Sequence, residues 1–217
     1  MKKYTHVIWD FNGTILDDLQ IGIDAVNVML KKRSLPTIDS IEDYRKIFGF
    51  PIKEYYRRCG FDFDAEDYES ILAPEWVAEY KKRESDAELC CGVLDAIRSF
   101  ESASIRQSVV SASSSDMLHE QIERLGIVGY FDSIIGCDNF FAYGKEQICR
   151  RFVESHPRES FILVGDSTHD YESAVHSGID CALVLSGHMS RETLSKCGCP
   201  LFEDARSFAE YVIGYNG

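Results

Sequence analysis

The stretch His6-Val7-Ile8-Trp9-Asp10-Phe11-Asn12-Gly13-Thr14 decides how this chain folds. An apolar run stops at an acid, and two residues later Asn12-Gly13-Thr14 forces a turn. A buried parallel strand delivers a carboxylate to a sheet edge in this way. Asp10 is therefore the first candidate for chemistry, and the rest of the chain must supply the other strands.

Beyond Thr14 the apolar residues Leu19, Ile23, Val26 and Leu30 fall at helical spacing across 16–33, until Ser34-Leu35-Pro36 breaks the pattern. Thr37-Ile38-Asp39-Ser40 offers an N-cap to a helix over 41–48, Gly49-Phe50-Pro51 interrupts, and 52–59 and 73–83 read as further helices. Nothing here resembles a strand, so 16–86 is expected to form a helical bundle inserted as a lid. At Cys91 the character changes. Helices are expected at 93–102, 116–125, 145–154, 168–177 and 204–213, and strands at 106–111, 131–135, 160–165 and 181–185, with Gly126 and Gly178 as helix stops. Strands alternating with helices imply right-handed crossovers and a mostly parallel sheet covered on both faces. The expected fold is α/β, with a core domain from 1–15 and 87–217 and a helical cap domain from 16–86.

The 217 residues are 45% hydrophobic, enough for a sizeable core, which excludes disorder. Thirty-six acids against 23 bases give a net charge of −13, which repels nucleic acid and anionic membranes. An anionic substrate must then be met locally. Met1-Lys2-Lys3 has the charge of a signal peptide, but the apolar run ends too soon at Asp10, and no stretch is long enough to span a membrane. A cytoplasmic protein is expected. Its eight cysteines are scattered through a chain too large to need a disulfide framework, and Cys197-Gly198-Cys199 lacks C-x-x-C spacing.

Ligands of an open parallel sheet bind beyond the carboxyl ends of its strands. There the second expected strand runs into Ser111-Ala112-Ser113-Ser114-Ser115 at a helix N-terminus, where free N–H groups favour an anion, although an ordinary serine cap reads the same way. The fourth ends in Val164-Gly165-Asp166-Ser167-Thr168-His169-Asp170, with Asp166 at the tip and Asp170 on the first helical turn. Such a pair can hold a hard cation through oxygen, magnesium in particular. Lys145, after Tyr143-Gly144, falls between the third and fourth strands; taken alone it is a solvated charge.

Asp10-Phe11-Asn12-Gly13-Thr14 resembles the D-x-D-G-T signature of the haloacid dehalogenase superfamily, with the second acid replaced by Asn12. The segment from Gly165 to Gly178, with Ala174 between, resembles the fourth motif of that superfamily, and Ser111 and Lys145 stand where its second and third motifs do. Cap placement and length look most like the phosphoglycolate phosphatase and beta-phosphoglucomutase branch. The resemblance implies a Rossmann-like core and a magnesium-dependent phosphatase acting on a small phosphorylated metabolite, such as a phosphoglycolate-like monoester, through an aspartyl-phosphate. By it Asp10 is the nucleophile, with Asn12 and Lys145 beside it in the catalytic group. Thr14, Ser111, Ala112 and Lys145 bind phosphate, while Asp10, the Asn12 carbonyl, Asp166 and Asp170 form the magnesium site. Asp166 argues against a metal-free dehalogenase. Two alternatives stay open: a phosphonate hydrolase using a cap lysine such as Lys53, and a phosphometabolite-binding protein with weakened catalysis. Arg45, Lys46, Lys53, Arg57 and Arg58 read as a basic helical face from which one residue could reach the leaving group. His6, His119, His156, His176 and His188 read as structural or solvated, and His169 stays open.

Overall fold

A computed structural model of the chain describes residues 4–137 and 144–216. Six parallel strands form one sheet in the order β5-β4-β1-β6-β7-β8: β1 His6–Trp9, β4 Arg106–Ser114, β5 Ser133–Cys137, β6 Phe161–Gly165, β7 Asp180–Val184 and β8 Leu201–Phe202. A second, antiparallel ribbon joins β2 Leu16–Asp17 to β3 Glu88–Leu89. The helices in chain order are α1 Leu19–Lys32, α2 Ile41–Ile47, α3 Ile52–Arg58, α4 Ala73–Lys81, α5 Val93–Ser102, α6 Ser115–Arg124, α7 Lys145–Ser155, α8 Thr168–Ser177, α9 Arg191–Leu194 and α10 Ala205–Asn216. A π-helical turn, Tyr68–Leu72, leads into α4. Among the described residues no helix is long and apolar enough to cross a membrane.

The central strands are apolar on both faces because both are covered. Val7, Trp9, Ile162 and Val164 join the core beneath α5 and α10, and Ile8, Leu163 and Leu183 join the one that takes in Cys149 and Phe152 of α7 and Ala174 of α8. Alternation along each strand sends successive side chains to opposite covers. Residues 19–73 form a third cluster of their own, built on Ile23, Val26, Leu30, Tyr55, Tyr56 and Leu72.

The α/β expectation holds, with local differences. Leu16–Asp17, where helix was expected, pairs as a strand with Glu88–Leu89, where no element was expected; two residues are too few to show a period of two. β8 went unread for the same reason. β4 runs on to Ser114, past the expected end at Ser111, through a register shift against β5. The third strand lies at Ser133–Cys137 rather than 131–135, because Val128–Tyr130 coils as a 3-10 turn. Thr168–Ser177 matches its expectation, capped by Ser167 and stopped at Gly178, φ 68°. No disulfide joins any cysteine. Tyr143 lies outside the described residues.

His6, fully buried on β1, holds Ser108 Oγ 2.9 Å from its Nε2 and packs against Phe152 and Phe161. Burial, aided by Arg106, pushes its pKa down to about 4 from an ordinary 6.5. Above pH 6.5 the ring is neutral folded and unfolded alike; below it the unfolded chain takes the proton first, so stability falls as pH drops toward 4. Urea unfolding should show wild type losing about 1–2 kcal/mol more than His6→Gln between pH 7 and pH 5.

Candidate active site

Four charged side chains meet where β1 and β6 end. Asp10 follows β1, Asp166 follows β6, Asp170 is the third residue of α8, and Lys145 is the first of α7; each is at most 7% exposed. The Lys145 ammonium donates to Asp10 Oδ1 and, at 2.5 Å, to Asp170 Oδ1. Asp170 Oδ2 accepts from the Ser167 amide at 3.0 Å and hydroxyl at 2.5 Å, so the cap of α8 also fixes the carboxylate that holds the lysine. Asp166 Oδ2 accepts from the His188 amide at 2.5 Å. Glycine makes this crowding possible, since a Cβ on Gly187 would stand 2.0 Å from Asp166 Oδ2 and one on Gly165 would stand 2.2 Å from Asp170 Cγ.

Oxygens of Asp10, Asp166 and Asp170 all lie within 4.8 Å of one another, with one ammonium among them. Burial, and then the charge of Asp170, pushes Asp10 up despite Lys145. Asp166 is likewise pushed up, by burial first. Burial opposes the ionised forms of Asp170 and Lys145 too, but their pairing outweighs it, and Asp170 stays below and Lys145 above its ordinary value. The cluster is short of positive charge, and its donors are hard oxygens of the kind that suit magnesium.

Asn12 is pinned at both amide atoms: Nδ2 donates to Asp18 Oδ2 at 2.7 Å, and Oδ1 accepts from Ser113 Oγ at 2.6 Å. Asp18 also accepts from the Gly13 amide at 3.1 Å and the Tyr80 hydroxyl at 2.9 Å, and it lies 3.4 Å from His188 Nε2. Burial raises its pKa, but these partners prevail and hold it below the usual carboxylate range. His188 shows the converse: burial disfavours its cation, yet Asp18 lifts its pKa to about 9. Its Nδ1 sits 2.8 Å from the Tyr44 hydroxyl on α2.

Above the carboxylates lies a cavity of about 200 Å³, walled by Tyr44, Phe48, Phe50, Tyr55, Trp76 and Tyr80 from the helical layer and by Asn12, Ser111, Ala112 and Ser113 from the sheet edge. Every expected site residue is therefore gathered at one place. Thr14 Oγ1 faces Asp10 Oδ2 at 3.3 Å, while Ser111 Oγ accepts the Ser113 amide at 3.0 Å. His169 lines the same cavity, with its ring stacked 4.7 Å from that of Phe50.

The basic face of the helical layer lies elsewhere. Arg45 donates to the Gly187 carbonyl at 3.0 and 2.6 Å, Lys46 pairs with Asp43, Arg57 with Glu54, and Arg58 donates to the Ile47 carbonyl. Lys53 sits 5.4 Å over the Phe63 ring. None of the five lines the cavity. His188, read as structural from the sequence, stands inside the site, and Asp18 beside it went unread. The one available pointer was position: Ser186-Gly187-His188 follows the fifth expected strand on the same sheet edge.

A phosphoglycolate phosphatase of Caulobacter vibrioides is 22% identical over 203 residues, 90% of this chain and 84% of that protein. The tyrosine-protein kinase PtkA of Mycobacterium tuberculosis is 24% identical over 208 residues, 94% of this chain and 70% of that protein. A solved haloacid dehalogenase-like family hydrolase from Streptococcus pneumoniae shares the fold with a TM-score of 0.80 and 20% identity, covering 97% of this chain and 99% of that one. The family profile described as haloacid dehalogenase-like hydrolase matches residues 7–184, from β1 to the end of β7, and so takes in Asp10, Lys145, Asp166 and Asp170. On that match the chain belongs to the haloacid dehalogenase-like hydrolase family.

Proposed function

We propose that this hydrolase is a magnesium-dependent phosphatase that cleaves a small phosphate monoester through an aspartyl-phosphate on Asp10. The observation that carries the reading is the buried cluster of Asp10, Asp166 and Asp170 with one ammonium, beside a cavity large enough for a small ester. Phosphatase names among the relatives support it.

Asp10, the Asn12 backbone carbonyl and Asp166 would hold the ion, and Asp170 would fix their arrangement. Magnesium bound there would supply the missing positive charge and draw electron density from the phosphoryl oxygens. Lys145 holds Asp10 in place and offers its ammonium to the same phosphoryl group, while Ser111, the Ala112 amide and Thr14 are within the site to orient it. Asp10 then attacks phosphorus as the bond to the ester oxygen breaks and the organic group leaves on that oxygen, and water releases phosphate from the acyl-phosphate. The layer of α1 to α4 is read as a cap over residues 16–86. It reaches the sheet edge through Tyr44 and Arg45, and closing it would keep bulk water from the acyl-phosphate. A cap-lysine mechanism is not proposed, because Lys53 is held over Phe63 and does not line the cavity.

Phosphate release in magnesium should stop in excess chelator, and Asp166→Ala should lower kcat at least roughly 10²-fold with the fold intact by circular dichroism. Turnover unchanged by the chelator would sink the metal assignment, and a protein that binds phosphate esters but forms no aspartyl-phosphate would be a binder.

Asn12→Asp would set a second carboxylate at the 2.7 Å contact with Asp18, where the two must share one proton at neutral pH. That proton is available to a leaving alkoxide, so turnover of alkyl phosphates should rise about 10²-fold in the variant, and that of aryl phosphates little. Intact-mass measurement must accompany the assay, since Asn12-Gly13 is prone to deamidation, which makes the same residue. No difference in alkyl turnover would place the proton donor elsewhere.

A further inference from the structure

The cavity has two independent properties that select the same leaving group. One is the character of its wall. Eight aromatic rings of the helical layer face it, and at about 200 Å³ it exceeds the roughly 150 Å³ that accommodates one benzene ring in a protein interior. Among the described residues only Lys145 and His188 bring a cation to it, and both are already matched, one to Asp10 and Asp170 and the other to Asp18. A carboxylate on the leaving group, as in phosphoglycolate, meets no unmatched cation and three buried acids.

The other property is that Asn12 cannot donate a proton. Its amide is committed at both ends, to Asp18 and to Ser113. Position 12 therefore gives the leaving group no proton. An alkoxide is about as basic as hydroxide, whose parent water titrates near 15.7, whereas a phenolate's parent titrates near 10. The second departs unaided far more readily.

We propose that the substrate is the phosphate monoester of a single-ring phenol, its ring seated among the aromatic side chains of the helical layer. The proposal rests on the phosphatase reading above. In the first step a carboxylate oxygen of Asp10 forms a bond to phosphorus while the phosphorus–aryl oxygen bond breaks, and the electron pair leaves on phenolate. In the second, water adds to phosphorus as the Asp10–phosphorus bond breaks. Both protons of that water end on inorganic phosphate, leaving as dihydrogen phosphate, and Asp10 is again a carboxylate. No acid at position 12 is required.

The test compares phenyl phosphate, benzyl phosphate and phosphoglycolate with magnesium present. Benzyl phosphate keeps the ring but leaves as an alkoxide, so it separates recognition from departure. Phenyl phosphate should give the highest kcat/KM. Benzyl phosphate should match its KM within about threefold but fall at least about 10²-fold in kcat. Phosphoglycolate should also show a KM at least about tenfold higher than that of benzyl phosphate. Trp76→Ala should raise KM for both ring esters about fivefold or more and leave that for phosphoglycolate in place; Phe50→Leu, a milder change, gives the same readout should the first variant not fold. Phosphoglycolate turned over with equal or higher kcat/KM overturns the proposal while the phosphatase reading stands. Equal KM for benzyl phosphate and phosphoglycolate overturns the ring pocket. Release of phosphate from none of the three, with no aspartyl-phosphate formed, overturns the phosphatase reading and this proposal with it.

Discussion

The Lys145 ammonium, buried between Asp10 and Asp170, is the contact on which the rest of the sheet edge depends. Removing an ammonium and two carboxylates from water is expensive, and such a group persists only where several elements hold it in register. Here β1, α7 and α8 each contribute one member, and the capping pair of Ser167 and Asp170 fixes the third. Truncating the lysine would leave three buried carboxylates without a cation. Placing Lys145 first on α7, where helical N–H groups are unpaired, brings further positive potential to the same point.

What the sequence showed and what it hid divide along a physical line. Val7-Ile8-Trp9 and Phe161-Ile162-Leu163-Val164 are continuous apolar runs because both faces of their strands are buried, and the acids ending them are conspicuous for the same reason. Asp10 and Asp166, with Asp170 four residues on, could thus be found, and with them the sheet, whereas Lys145 stood out only through the resemblance to a known family. Strands of two residues such as Leu201–Phe202 leave no period to detect. Asp18 and His188 are 170 residues apart in number and become neighbours only through packing, and nothing local to either marks it. The cavity wall was hidden in another way. Tyr44 and Tyr55 belong to the apolar cluster of the helical layer and Tyr80 to a smaller one, and membership of a cluster does not disclose that part of it faces a void.

Asn12 shows how a single side chain is held by its surroundings. The amide fits Asp18 on one side and Ser113 on the other because it both donates and accepts, and a carboxyl group at the same place could accept from Ser113 but would need a proton to face Asp18. Asn12 is therefore matched to an ionised Asp18. Asp18 in turn is kept ionised by Tyr80, Gly13 and His188 as well. The residue at position 12 belongs to a network spanning the ribbon, the helical layer and the loop after β7.

That loop ties distant events together. Its Gly187 carbonyl and His188 ring are held by Arg45 and Tyr44 of α2, and its His188 amide is bonded to Asp166. Any displacement of α2 from the sheet edge must release the loop on one side while the other still grips the carboxylate. An occupant of the aromatic cavity that steadies α2 therefore also steadies Asp166, and an ion that steadies Asp166 favours the seated position of α2. On the proposed function, binding at the two places would be thermodynamically linked, each tightening the other by the same factor. Organic ligand and cation would then assemble and depart as a coupled pair, one seated against α2 and the other at Asp166.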